Sequence, residues 1–529
     1  MRATETRPGS VPVQTEERGR GPVLRVFLLA FLVFAYFMPQ WADWNIDSRL
    51  DLVHAIVDGH TVRIDRYHQN TWDKAVYKGH YYSDKAPGTA ILGVPVYAGF
   101  VGARKLPVLG DGIRALERND AWKVAIRLGK SDTQKAPAQK GRTLGGCQRS
   151  GAGNVQVIPW GNRLVPPMRT WALSKYVVTI GVDALLSALF VAFFFWFLGA
   201  VGIGRAARWI ATLLYAFATV ALPYSANFYS HQLAAGFLFV AFALLYLRRA
   251  GWVTFWAVPA AGFLLGFSLF TEYTVALIVA VVGIYALFAL RWEIRSILAL
   301  GVAGFIPIAG LMAYNALCFG NALDTGYSHD FCWSAAQAAG FAGFTYPHLG
   351  PLFDLTLGPF RGLFFQSPFL LLAVPGLYLM ARRRLGPEAL VCGAAGVIFI
   401  LAISSYWGWN GGRVDGPRYL VPVVPFLVLP AAFAIAGMLG VALGRIVLLL
   451  AAAWSLFATG VLFIAGDTFP FSWLRNPLFD YSLPALQRNE IASNAGLFFG
   501  LSGWTTLLPL AGILLLFAAW GTLSWRGSE

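Results

Sequence analysis

The sequence predicts an all-α polytopic membrane protein of about 12 transmembrane helices, with a large outer first loop containing juxtamembrane helices. Three observations carry that reading. The chain is 57% hydrophobic with only 13% charged residues, and its mean hydropathy is +0.59. Its apolar residues fall in blocks of about 16 to 27 rather than in the one-sided stripes of soluble helices. A polar and aromatic interval, Trp41 to Phe100, interrupts the blocks, and a segment so rich in Asp, Arg, His and Lys must sit outside the hydrocarbon.

The net charge of +15 does not point to nucleic acid, because the Lys and Arg residues fall mostly in loops between apolar blocks, where they set topology and meet lipid headgroups. The four cysteines, Cys147, Cys318, Cys332 and Cys392, show no CxxC or metal spacing, so neither a disulfide framework nor a zinc site is expected. Residues 1–22 read as a disordered cytoplasmic tail, and 23–41 as a first transmembrane helix without a cleavage pattern.

Thirteen apolar blocks follow one another, near 23–41, 88–103, 173–199, 207–223, 232–247, 252–269, 273–290, 296–315, 362–381, 387–405, 419–440, 443–466 and 501–521. If 173–199 runs from outside to inside, the cytoplasmic turns hold eleven basic residues: Arg205, Arg208, Arg248, Arg249, Arg291, Arg295, Arg382, Arg383, Arg384, Arg445 and Arg526. The short outer loops then hold five, Arg361, Arg413, Arg418, Arg475 and Arg488, which satisfies the positive-inside rule. Parity then requires one block not to cross. Block 88–103 is short for the roughly 20 residues a span needs, and Gly93, Pro95 and Gly99 interrupt it. It is read as a juxtamembrane or re-entrant helix on the outer side. Residues 42–172 thus form one outer loop with a flexible insert near 131–153, and 173–529 form the bundle, with outer loops near 223–231, 316–361, 406–418 and 467–500.

Polar chemistry gathers in the outer segments. If 46–57 is helical, Asp47 and Asp51 share a face, with His54 three residues further on. This is compatible with an amphipathic helix on the headgroups and with a general base at the bilayer surface, Lys85 supplying charge to an anionic substrate. Tyr224, Asn227, Tyr229 and His231 lie at the mouth of two helices, and Glu272 at a helix end is unremarkable. In SYWGWNGGRVDGPRYLVP, Arg413 and Arg418 stand among Trp residues and glycines, a composition that suits either a phosphate headgroup or an interfacial anchor. Asp183, within block 173–199, must face protein or water.

These residues, in this order, resemble the membrane glycosyltransferases of the C-type fold (GT-C), particularly the branch related to bacterial protein O-mannosyltransferases and aminoarabinose transferases. Ile46-Asp47-Ser48-Arg49 resembles the family's Asp-Glu element, and Asp84-Lys85-Ala86-Pro87 its acidic-Lys-Pro-Pro element. His231 falls where the family often has an Asp, and Gly416-Pro417-Arg418-Tyr419 is similar to its Arg-Tyr motif. Ser48 replaces the Glu, Ala86 replaces the first Pro, and the insert at about 104–170 is longer than the family pattern.

The resemblance implies a transferase moving a sugar from a polyprenyl-phosphate donor to an acceptor hydroxyl on a glycan, lipid or protein, with inversion. Asp47 would be the catalytic base, and Asp51, Asp84, Lys85, Tyr224, His231, Arg413 and Arg418 would bind substrate. No cofactor is implied beyond the lipid-phosphate sugar co-substrate, and with no convincing DxD pair no metal is expected. Two other classes remain open, a flippase for a lipid-linked saccharide and a non-catalytic membrane scaffold. A flippase would carry polar residues through the membrane centre, where Asp183 stands nearly alone.

Overall fold

The computed structural model describes residues 20–40, 43–125, 168–465 and 474–526. The tail, the insert near 131–153 and Cys147 lie outside these residues. The described chain is a helical, multi-pass membrane protein with one two-stranded sheet.

The first apolar block forms α1 (Arg20–Tyr36), and α2 (Trp44–Gly59) follows at once. Asp43 caps α2, its carboxylate accepting from the Ile46 amide at 2.9 Å. A hairpin of β1 (Lys74–Tyr77) and β2 (His80–Ser83) comes next. Lys78 and Gly79 connect the strands, both at positive φ (49° and 81°), as a tight two-residue turn demands. Then come α3 (Gly88–Ala103) and α4 (Pro107–Arg118).

The bundle consists of α5 (Arg169–Ala200), α6 (Arg205–Phe217), α7 (His231–Arg249), α8 (Ala257–Thr271), α9 (Tyr273–Ala289), α10 (Ile294–Phe319), α11 (Pro368–Arg382), α12 (Gly386–Ser404), α13 (Arg418–Met438), α14 (Ala442–Ile464) and α15 (Gly503–Trp520). Among the described residues, 7 of the helices are long and apolar enough to cross a membrane, and five further apolar helices are shorter, at 10–17 residues.

Of the shorter helices, α3 runs alongside α2. Gly93 packs on Val53, and Tyr97 lies against His54 and donates to Asp58 at 3.0 Å. Helix α3 has 16 residues with Pro95 inside it, fewer than the roughly 20 a span needs. The block at 207–223 differs from its expected length. Its helix stops at Phe217, and a separate short turn, Ala221–Ser225, carries Pro223, which has no amide proton to continue a helix.

The two ends of the bundle differ in chemistry. At one end Arg249 pairs with Glu388 at 3.0 Å, Arg208 lies over Phe195 and Arg295 over Phe255, joining the ends of α5 and α7 to the starts of α6 and α12, and the start of α10 to the start of α8. At the other end lie α2, the hairpin and the starts of α7 and α13. Long loops close over this second end: Phe331 donates its amide to Lys74 at 2.9 Å, and Met38 donates to Ser493 at 2.9 Å.

One sequence expectation is corrected. Cys332 is disulfide-bonded, while Cys318 and Cys392 are free thiols. Disulfide partners need not be close in sequence, so CxxC spacing was the wrong signal.

Candidate active site

Helix α2 carries the site. It is buried from Asn45 to Ala55 although that stretch contains Asp47, Arg49, Asp51 and His54. A charged helix can be buried only if each charge is answered, and each answer comes from a different part of the fold.

Asp47 points at α5. Its Oδ1 accepts from Lys175 Nζ at 2.9 Å, and both side chains are almost fully buried. Burial pushes the Asp47 carboxyl up to about 7, with Lys175 opposing the rise. Asp51, one turn on, accepts from Asn70 at 2.8 Å, and burial together with the charge of Asp47 pushes it well above the carboxylate range. His54 reaches Ser174 at 3.2 Å, so Asp47, Asp51 and His54 do share the face expected of them. Next to these residues, a small cavity of about 20 Å³ is lined by Met38, Pro39, Trp122, Ala125, Ala172, Lys175 and Ser493.

The next residue on α2 points elsewhere, because successive helical side chains are about 100° apart. Ser48 Oγ lies 2.8 Å from Ser83 Oγ and 3.4 Å from Asp84 Oδ1, at the end of β2. Lys74 pairs with Ser83 across the hairpin, so that register sets Asp73 beside Asp84. Lys85 Nζ lies between them, 2.7 Å from Asp84 and 2.9 Å from Asp73. Burial opposes charge on Lys85, but the two carboxylates outweigh it and hold the ammonium above its usual range. Tyr327 supplies an aromatic face 5.5 Å from the same nitrogen.

Arg49 completes the helix. It donates to Asn45 and to Ser230 at 2.8 Å, and lies 4.0 Å from Glu272. Glu272 also accepts from Ser230 at 2.6 Å and faces His231 Nδ1 at 3.4 Å. The His231 ring meets Tyr419 edge-on at 5.4 Å, and Arg418 donates to the Tyr419 hydroxyl at 3.0 Å. Tyr224 donates to the Asp415 carbonyl at 3.0 Å, and buried Arg361 donates to the carbonyls of Val414 and Gly412. These bonds fix the glycine-rich loop on which Arg413 is half-buried. Burial raises the Asp415 carboxyl to about 8, against Arg361.

The fold therefore gathers Asp84, Lys85, His231, Tyr224 and Arg418 at the end of the bundle where α2 places Asp47 and Asp51. Asp47 and Lys85 answer different partners within that region. Four participants are not read as site residues in the sequence: Lys175 and Asp73 are not singled out, Glu272 reads as a helix-end acid, and Arg361 counts only for topology. Lys175 carried a usable signal, a lone cation inside the apolar stretch of α5. Asp73 carried none, since its place depends on hairpin register. Asp183 lies in a π-helical turn of α5, Ile180–Ala184, fully buried and within reach of the charge of Arg49.

No family model and no curated protein matches the chain. Among solved structures, the chain is similar to the crystal structure of ArnT from Cupriavidus metallidurans in the apo state, with 13% identity and a TM-score of 0.43 over 84% of this chain and 70% of that one.

Proposed function

We propose that the protein is a membrane glycosyltransferase that moves a sugar from a polyprenyl-phosphate donor to an acceptor hydroxyl at the outer face of the membrane. The observation that carries this reading is that one end of the bundle holds both a carboxyl raised to about 7 (Asp47) and separate buried cations (Lys85, Arg418) suited to a phosphate. A lipid-linked donor keeps its chain in the bilayer and its sugar at the surface, so catalytic groups belong at that level.

In the reaction, the acceptor oxygen attacks the anomeric carbon as the bond from that carbon to the phosphate oxygen breaks. Asp47 takes the acceptor proton, and a carboxyl titrating near neutrality suits that task. The leaving phosphate takes the bonding electrons and is stabilised by Lys85 and Arg418. Attack opposite the leaving group inverts the configuration in one step. The outer placement is supported by the arginines at the far end of the bundle and by the disulfide at Cys332, in a loop packed on the hairpin, since such bonds persist on oxidising sides. The gathering of polar groups at one end favours surface chemistry over translocation.

Binding tests the donor assignment. Lys85→Ala should weaken binding of the polyprenyl-phosphate sugar at least tenfold in detergent or nanodiscs. Unchanged affinity would remove the phosphate role of Lys85.

A further inference from the structure

In this structure Lys85 already has two carboxylate partners, Asp84 and Asp73, and only 8% of its side chain is exposed. Two of its three N–H donors are taken and the side chain is nearly enclosed, so a phosphate oxygen reaches this nitrogen fully only when one partner leaves. The two partners are unequal. Asp84 is fully buried, takes Ser48 as a second contact, and lies under the backbone of Gly326. Asp73 is 15% exposed and stands in the bend before β1, outside regular structure.

The other carboxylates nearby are committed. Asp330 accepts the amides of Cys332 and Trp333 at 2.8 and 2.6 Å, Glu272 holds Ser230 and Thr274, and Asp43 caps α2 and accepts from Tyr229. Asp73 faces more than one cation: Lys85 is in contact, and the charges of Arg418 and Arg49 also reach it.

We propose that Asp73 is a built-in stand-in for the donor phosphate, its carboxylate filling the place among Lys85, Arg418 and Arg49 that a singly charged phosphodiester takes on binding. This rests on the donor reading above and adds how the site is kept closed without donor. The exchange is chemically even: a carboxylate and a phosphodiester each carry one negative charge and each offer two oxygens to Lys and Arg donors. It also needs only a side-chain rotation. The backbone before Asp73 is pinned, with Thr71 donating to the Trp44 carbonyl at 2.7 Å and Trp72 stacked on Trp44 at 5.0 Å. While Asp73 is in place, the buried cations have an answer and the site stays dry.

The test is binding of undecaprenyl phosphate, the monoester left after transfer and at least as negative as the donor diester, to the full-length protein in nanodiscs, comparing wild type, Asp73→Asn and Asp73→Glu, with undecaprenol as the uncharged control. Asp73→Asn should bind the phosphate lipid about tenfold more tightly, Asp73→Glu should stay near wild type, and undecaprenol should not distinguish the three. If wild type binds and Asp73→Asn binds equally or more weakly, the stand-in role is overturned and the donor reading survives. A gain for undecaprenol as large as for the phosphate lipid also overturns it. If neither wild type nor Asp73→Asn binds, the donor reading falls and the stand-in with it. Should Asp73→Asn fail to fold, Asp73→Glu decides: its longer side chain must still compete, and tighter binding by that variant contradicts the proposal.

Discussion

At the scale of single residues, the account turns on a carboxyl group that burial has made a weak acid. Asp47 titrates near 7 in the folded protein against its ordinary 3.8, and this has two consequences of opposite sign. As a base it must be ionised, so the transfer rate should rise about tenfold per pH unit below neutrality and level off above about 7. Stability responds the other way. Between about pH 4 and 7 the folded protein holds a proton that the unfolded chain has released, so the contribution of this group to stability falls as pH rises across that window. A pH–rate profile with a flat acid limb would show that another group is the base. The same scale shows what could be read in advance. Asp47, Lys85 and Arg418 stand beside recognisable neighbours in the sequence, whereas Asp73 looks like any acid in a polar stretch until the Lys74–Ser83 register places it beside Lys85.

At the scale of elements, helix packing explains why the polar end of the bundle is held still. Helices α8 and α10 are in backbone contact: a Cβ on Gly266 would lie 2.0 Å from the Gly304 carbonyl oxygen, and one on Gly262 would lie 2.1 Å from that of Leu300. Small residues four apart let membrane helices approach this closely. Gly266→Ala must therefore force the pair apart and should cost about 1–3 kcal/mol, seen as a lower melting temperature in detergent. Gly283→Ala on α9, where a Cβ meets nothing within 4 Å, should leave it unchanged. Equal melting of the two variants would contradict this packing. Helix α8 delivers Glu272 to Arg49, so the same variant should also weaken the site. The apolar blocks were legible because membrane helices announce themselves by length and composition. The end of α6 at Phe217 was less so, since the turn at Pro223 adds residues as apolar as the helix itself. That α2 is buried all round was not legible at all: its charges are satisfied by Lys175, Glu272 and Asn70, from distant parts of the chain.

At the scale of the whole molecule, the arginines at one end and the buried polar network at the other define a sided protein. Cysteines introduced at exposed Lys78, in the hairpin turn, and at exposed Arg384, between α11 and α12, report the two ends. An impermeant maleimide applied to intact cells should label Lys78→Cys and should reach Arg384→Cys only after permeabilisation; the reverse pattern would invert the topology. The gathering of arginines at one end was legible from charge counting, whereas the disulfide at Cys332 carried no spacing signal. The central claim is that sugar transfer runs through Asp47 at the outer end of the bundle. Deleting the gene should remove a defined glycan or glycolipid, and its recovery on complementation is the direct measurement. Wild type should restore it, and Asp47→Asn, present in the membrane at wild-type level with an unchanged protease-resistance pattern, should restore less than about 1%, a loss of at least about 2.7 kcal/mol in transition-state stabilisation. Full restoration by Asp47→Asn would contradict the account.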